Sequence, residues 1–175
     1  MQATNHILLV QPAHFTFNLE TAGSNAFQSE LKESQESVKQ KVVLEFEKFA
    51  SVLESKGVDI TVVKDTPFPL KPDAVFPNNW ISFHENGTII LYPMFAPNRR
   101  LERREDIIES IKKNFVVSTI LDLSKYEQQN KFLEGTGSIV FDHVNKIAYA
   151  CLSPRTDKDI FQSAAGSECA AGLNG

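Results

Sequence analysis

The sequence predicts a mixed α/β fold built from repeated units. The order strand, strand, helix, strand recurs along the chain, which is typical of a repeat architecture. The 42% hydrophobic content and the 13 Phe residues supply enough apolar side chains for a core, so the chain is not a disordered tail. We expect residues 1–162 to form one portion of a single globular domain.

The first elements are a strand, a long helix and a second strand. The apolar run Ile7–Val10 predicts a strand that ends before Pro12. The alternating, β-branched run 58–63 predicts the second strand, and the proline-rich segment 66–72 predicts a stiff extended connector. Between the strands, apolar residues at spacings of three, four and seven predict a helix that ends at Gly57 and turns one stripe to the core: Leu31, Val38, Val42, Phe46, Phe49 and Leu53.

A second round of elements follows. Short strands are predicted at 74–76, 80–83 and 88–92, with Asn86-Gly87 as the hairpin turn between the last two. A strand is predicted at 116–121, and the helix before it carries Leu101, Ile107, Ile108 and Ile111.

The third round opens with strands at 137–141 and 146–151, separated by a turn at 142–145. A helix begins after Ser153-Pro154 but acquires no second apolar turn. Residues 163–175 hold three of the eight glycines and four alanines, without periodicity. We therefore expect 163–175 to be an aberrant, disordered tail on a chain cut in mid-repeat; the alternative is a last unit that is short.

Composition excludes several classes of protein. The net charge of −4 argues against a nucleic-acid partner, because phosphate binding needs a basic surface. No apolar run approaches the ~20 residues that span a bilayer, so we expect no membrane partner and a cytoplasmic protein. Two cysteines are too few for a disulfide framework and lack zinc-site spacing. No metal or cofactor is predicted.

The segment Leu133-Glu134-Gly135-Thr136-Gly137-Ser138 places one carboxylate against two glycines, directly before an apolar strand. A charge at a crowded turn requires a partner. The alternative is that both glycines serve a tight turn needing positive φ and that Glu134 is a solvated turn residue.

Further polar residues lie at strand and helix ends. Asp73 precedes the strand at 74–76, and Asn78-Asn79 follow it, although a polar turn explains them equally well. Four of the five arginines lie at one predicted helix start (Arg99, Arg100, Arg103 and Arg104), and Arg155 lies at another. Guanidinium groups suit anion recognition, whereas Glu102 and Glu105 allow a compensated, solvated face instead.

Together these motifs resemble the guanidino-group-modifying superfamily of arginine deiminases, dimethylarginine dimethylaminohydrolases and amidinotransferases. The series is Pro-Asp-x-Val-Phe, x-x-Arg-Arg-x-Glu, Glu-Gly-x and Ser-x-Arg-Thr. The forms Phe-Pro-Asn-Asn-Trp and Leu-Glu-Gly-Thr-Gly-Ser are most similar to the amidinotransferase-like or citrulline-utilisation hydrolase branch. The resemblance implies a pentein α/β-propeller of five ββαβ-type units, of which this chain would hold about three.

The resemblance also implies roles for single residues. Asp73 would contact the guanidino or ureido nitrogens of an arginine- or citrulline-like substrate, and Arg99 and Arg155 would bind its α-carboxylate. Glu134 would be a catalytic residue, whose carboxylate orients the catalytic histidine and stabilises its positive charge. Asn79 stands where deiminases have a second acid, and its neutral amide favours a ureido or amide group over a guanidinium.

The family attacks its substrate with a Cys thiolate and moves protons with a His, both in the C-terminal part of the domain. Cys151 lies in a strand, as a core hydrophobe would, and Cys169 lies in the tail. The four histidines are interpreted as surface or strand-end residues: His6, His14, His84 and His143. We therefore expect the N-terminal part of a hydrolase or amidinotransferase, itself inactive; the alternative is a non-catalytic ligand-binding or partner module. The native substrate, the choice between water and an amine as the acceptor of the transferred group, and a homo-oligomeric state are left open.

Overall fold

The computed structural model describes residues 3–25, 34–166 and 170–174. These residues form two compact units. The N-terminal unit comprises residues 3–77 and 96–102, and the C-terminal unit comprises 78–95 and the described residues from 103 onward. Both units contain strands and helices, so the mixed α/β class is confirmed.

The N-terminal unit contains one parallel strand pair joined by a long helix. Strand β1 (His6–Gln11) pairs in register with strand β2 (Asp59–Lys64). Helix α1 (Gln35–Ser55) begins after Ser34, whose hydroxyl accepts from the backbone N–H of Ser37 at 3.3 Å. Gly57, at φ +80°, follows the helix end where the sequence predicted it.

The predicted core stripe of α1 is correct on one side and wrong on the other. Of the predicted residues, Val38 and Phe46 are buried, but Phe49 is 54% exposed, and Ala50 is buried without having been predicted. Val52, next to Phe49 on the helix surface, is also exposed. The sheet of this unit has two strands, which cover a narrower strip than the apolar stripe of the helix presents. Leu31 lies outside the described residues.

The C-terminal unit contains two three-stranded sheets with one shared topology. In each sheet the first strand is antiparallel to the second, and the third strand pairs parallel to the second after a helix. The first sheet contains β3 (Ile81–Phe83), β4 (Thr88–Leu91) and β5 (Thr119–Asp122). The second sheet contains β6 (Ile139–Asp142), β7 (Ile147–Cys151) and β8 (Ala170–Asn174). The predicted order strand, strand, helix, strand is therefore confirmed in the first sheet. In the second sheet the closing strand β8 falls within 163–175, where a tail and not a strand was expected.

Four short helices and three 3-10 helices complete the described elements. The helices are α2 (Pro97–Arg100), α3 (Glu105–Asn114), α4 (Gly135–Ser138) and α5 (Lys158–Gly166). The 3-10 helices span Ala22–Ser24, Pro77–Asn79 and Ser124–Gln129. No described helix is long and apolar enough to cross a bilayer.

Two predicted elements of the second round are corrected. Residues 74–76 form a turn in place of a strand, in which the N–H of Phe76 donates to the carbonyl of Asp73 at 3.0 Å. Pro72 and Pro77 flank this stretch, and a proline has no N–H to donate to a strand ladder. The helix expected to include Leu101 is divided into α2 and α3, and Leu101 is exposed.

The core of the C-terminal unit extends into the region predicted to be a tail. Its buried side chains come from both sheets, from α5 and from connecting segments: Ile90, Tyr92, Leu123, Leu133, Ile139, Phe141, Ala148, Ala150, Ile160, Phe161, Ala164 and Ala165. Poor packing was therefore wrongly expected for Ala164 and Ala165, which continue the apolar face of α5 at i+4 from Ile160 and Phe161. Residues 167–169 and 175 lie outside the described residues, and the boundary at 162 stays a prediction.

Cys151 also differs from its expected environment. It is the last residue of β7 and its side chain is exposed, so it is not a core hydrophobe. Neighbouring residues on a strand face opposite sides of the sheet, and Ala150 takes the buried side.

Substituting Ala164→Asp is expected to destabilise the protein by roughly 3 kcal/mol, because a carboxylate would enter the core without a partner. Ser163→Asp is the matched control, since Ser163 is the exposed neighbour on the same helix. Urea unfolding followed by circular dichroism measures both. Equal midpoints for the two variants would show that α5 does not pack as described.

Candidate functional site

Glu134 is the centre of the candidate site, and it is 1% exposed. One carboxylate oxygen, Oε1, accepts from the backbone N–H of Phe95 at 3.1 Å. The other, Oε2, accepts from Nη1 of Arg155 at 3.2 Å and from Nδ2 of Asn79 at 3.5 Å. Glu134 is therefore a buried, hydrogen-bonded carboxylate, and its interpretation as a solvated turn residue is wrong.

The two glycines after Glu134 allow the backbone to approach residues 78 and 79. Gly135 has φ +37°, and a Cβ atom there would lie 2.3 Å from the carbonyl oxygen of Asn78. A Cβ atom at Gly137 would lie 2.5 Å from Nδ2 of Asn79. The predicted need for positive φ is thus confirmed at Gly135, and the missing side chains bring Asn79 within reach of Glu134.

The orientation of the Asn79 amide follows from its neighbour. An ionised carboxylate only accepts hydrogen bonds, so the NH₂ end of the amide faces Glu134. Asn79 therefore adds a donor beside Glu134 without adding a negative charge.

Arg155 is held at its main chain and reaches Glu134 with its side chain. Its carbonyl accepts from the N–H of Glu134 at 3.2 Å and from the hydroxyl of Ser138 at 3.1 Å. The side chain is 20% exposed. Arg155 was expected at a helix start. It lies instead in a turn between β7 and α5, three residues before α5 begins.

In the N-terminal unit, Asp73 lies in a second polar cluster. Its Oδ2 accepts from Nδ2 of Asn18 at 2.7 Å and lies 3.7 Å from Nε of Arg99. Asn18 is buried, and its own Oδ1 accepts from the N–H of Glu20 and from Nδ2 of Asn98. These two contacts fix the Asn18 amide so that it donates to Asp73.

Arg99 is buried and bidentate with an acid from its own segment. Its Nε and Nη2 donate to the two carboxylate oxygens of Glu102 at 2.9 and 3.0 Å. The solvated-face interpretation is therefore wrong for Arg99 and Glu102, both of which are at most 3% exposed. An external anion would have to compete with Glu102 for this guanidinium.

Two further arginines of the same stretch also have carboxylate partners. Arg103 donates from Nη1 and Nη2 to the two carboxylate oxygens of Glu127, at 2.7 and 3.0 Å. Glu127 also accepts from the N–H of Met94, at 2.8 Å. Arg104 hydrogen-bonds Asp106 and thereby holds the pKa of that carboxyl below its usual value.

The predicted site residues thus form two clusters. Asn79, Glu134 and Arg155 lie together in the C-terminal unit, and Asp73 and Arg99 lie together in the N-terminal unit. That all five face one cleft stays a prediction. Sequence reasoning missed Asn18, because an asparagine in a loop is too common to single out. Among the described residues, no three His, Cys, Asp or Glu side chains are grouped to hold a metal ion.

A family model described as "N,N dimethylarginine dimethylhydrolase, eukaryotic" matches residues 11–168 of this chain. No curated protein matches.

Several solved structures are similar to this chain. The N-terminal domain of ArgZ, an arginine dihydrolase from the ornithine-ammonia cycle in cyanobacteria, was solved with substrate bound. It has a TM-score of 0.69 and 20% identity over 96% of this chain and 56% of that chain. A dimethylarginine dimethylaminohydrolase from Pseudomonas aeruginosa in complex with citrulline has a TM-score of 0.66 and 17% identity, over 97% of this chain and 60% of that chain. The chain therefore spans a little more than half the length of these structures, and the likeness shows their fold.

Gly135→Ala is expected to destabilise the protein by at least about 2 kcal/mol, because the new Cβ would meet a backbone carbonyl and φ is positive. Gly166→Ala is the control from the same unit, since a Cβ there meets nothing within 4 Å. Denaturant midpoints of the two variants give the comparison. A Gly135→Ala protein as stable as the parent would contradict the close approach.

Proposed function

The chain belongs to the N,N dimethylarginine dimethylhydrolase family, and from that premise we propose that it is the N-terminal part of a hydrolase acting on C–N bonds of arginine- or citrulline-like amino acids. One observation carries the proposal: Glu134 is a buried carboxylate held from three sides by Phe95, Asn79 and Arg155. Such a group can accept a further hydrogen bond from an imidazole and stabilise its protonated form.

The two arginines differ in how available their guanidinium groups are to a substrate carboxylate. Arg155 keeps 20% of its side chain exposed, whereas the Arg99 side chain is 4% exposed and bidentate with Glu102. We therefore assign the substrate α-carboxylate mainly to Arg155. Arg99 lies 3.7 Å from the carboxylate of Asp73 and helps to fix the Asp73 side chain.

Asn79 supports a neutral ureido group as the preferred substrate end. A guanidinium carries a positive charge that a second carboxylate at this position would balance, and Asn79 supplies none. Its Oδ1 can still accept from an NH₂ group, which both ureido and guanidino groups carry. The proposed preference for citrulline-like over arginine-like ligands therefore rests on charge.

We propose further that these 175 residues are inactive by themselves. The family route needs a thiolate nucleophile beside a base. Cys151 is exposed at the end of β7. Among the described residues, the proposed site assigns no general base to this thiol. Cys169 lies outside the described residues.

A non-catalytic ligand-binding or partner module is the second candidate. It is favoured by the fact that both oxygens of Glu134 already have partners from this chain, so the carboxylate is stable without a histidine. The two candidates differ in turnover once a complete domain is present.

The 175-residue chain is expected to release no ammonia, urea or alkylamine from citrulline, arginine or methylated arginines above a protein-free control. The same chain continued through a complete family domain should turn over at least one of them. Glu134→Gln in the continued chain should remove most of kcat, because the amide keeps a hydrogen bond but loses the charge. Discontinuous assays for the three products measure these rates.

Cys151→Ala is the control in both chains and should change no rate. Turnover by the 175-residue chain that this variant abolishes would overturn the proposed inactivity. A continued chain that binds citrulline without turning it over would favour the binding module.

A further inference from the structure

Glu134 and Arg155 make a direct ion pair although their proposed roles face different groups. Glu134 is assigned to a histidine and Arg155 to the carboxylate of the substrate. In the structure, Nη1 of Arg155 lies 3.2 Å from Oε2 of Glu134. A carboxylate that binds Arg155 therefore meets a guanidinium that already has an anionic partner.

The negative charge of Glu134 is poorly screened at this position. Its side chain is 2% exposed, so little solvent separates it from groups around Arg155. Like charges brought together in such surroundings repel more strongly than they do in water. Glu134 therefore opposes the approach of a second carboxylate to Arg155.

Glu134 does not depend on Arg155 alone. The N–H of Phe95 donates to Oε1, and Nδ2 of Asn79 donates to Oε2. If the guanidinium turns toward a ligand, two donors stay with the buried carboxylate, which avoids the cost of a fully unpaired charge. The main chain of Arg155 is fixed to residues 134 and 138, so the change is confined to its side chain.

We propose that Glu134 sets the affinity of Arg155 for the ligand carboxylate, and that a bound carboxylate in turn weakens the hold of Arg155 on Glu134. This inference rests on the proposed function, which assigns the carboxylate to Arg155. The two effects must be equal in free energy, because coupling between two contacts of one group is reciprocal. Carboxylate binding thereby releases part of the Glu134 charge for a third group, so that the carboxylate of Glu134 is most available when substrate is present.

The test compares a ligand that has the α-carboxylate with one that lacks it. Citrulline and its decarboxylated form, N-carbamoylputrescine, share the ureido group, the carbon chain and the amine. Titration calorimetry on the 175-residue chain gives Kd for both ligands with the parent, Glu134→Gln and Glu127→Gln. Glu127 is the matched control, because it also pairs with an arginine and accepts from a backbone N–H, that of Met94 next to Phe95.

Glu134→Gln is expected to bind citrulline about tenfold more tightly than the parent does, whereas its Kd for N-carbamoylputrescine should change less than twofold. Glu127→Gln makes the same change in net charge and should leave both affinities within twofold. A purely structural effect of Glu134→Gln would change the Kd values of both ligands by similar factors. Citrulline affinity that is equal or weaker in Glu134→Gln, with clear binding by the parent, overturns the coupling and leaves the proposed function intact.

Two further outcomes bear on the proposed function itself. If Arg155→Ala binds citrulline as well as the parent, the carboxylate does not bind Arg155, and both the coupling and that assignment fail. If neither the parent nor Glu134→Gln binds citrulline, the proposed substrate class fails for this chain together with the inference.

A second measurement on the parent protein does not depend on the folding of any variant. With 13C and 15N labelling, the carboxylate carbon of Glu134 and the backbone amide of Phe95 report on the ion pair. Saturation with citrulline should shift both signals more than saturation with N-carbamoylputrescine does, because only citrulline has the carboxylate, and equal shifts with the two ligands would overturn the proposed coupling. Unmoved signals at citrulline saturation would overturn the proposed coupling.

Discussion

Burying the negative charge of Glu134 is the constraint on which the candidate site depends. A carboxylate removed from water is stable only when donors replace its hydration. The three donors come from separate parts of the C-terminal unit: the chain after β4, the 3-10 helix before β3 and the turn after β7. Because all three segments contribute a donor to one carboxylate, the site ties them together.

In the N-terminal unit, too, buried charged side chains are paired with groups of opposite charge or with hydrogen-bond donors. Arg99 is matched by Glu102, and Asp73 receives the amide of Asn18. Lys71 is 1% exposed and lies 3.3 Å from Asp65, while donating to the carbonyls of Thr66 and Pro69. The Asn18–Asp73 contact connects the loop that follows β1 with the loop that follows β2. Buried polar pairs thus help to fix these loops.

The sequence allowed the repeated topology to be predicted, because period and turn residues are local properties. Asn86-Gly87 and the glycine after α1 marked their turns correctly. The exposure of Phe49 was not predictable in this way, since it depends on how many strands lie beneath the helix. The segment at 74–76 shows a similar limit, because its apolar residues indicated a strand while two flanking prolines imposed a turn.

The candidate site was predictable in its anchor residues and not in their partners. Glu134 stood out as a lone carboxylate beside two glycines, and Asp73 as an acid directly before an apolar run, whereas Asn18 and Glu127 have no distinguishing neighbours in the sequence. Arg155 was singled out as an anion ligand, but its contact with Glu134 joins residues that are 21 positions apart. Such a contact is set by the pairing of strands and not by spacing along the chain. The proposed competition between Glu134 and a ligand carboxylate for one guanidinium therefore could not be read from the sequence, because it follows from a contact that forms only when the fold brings the acid and the base together.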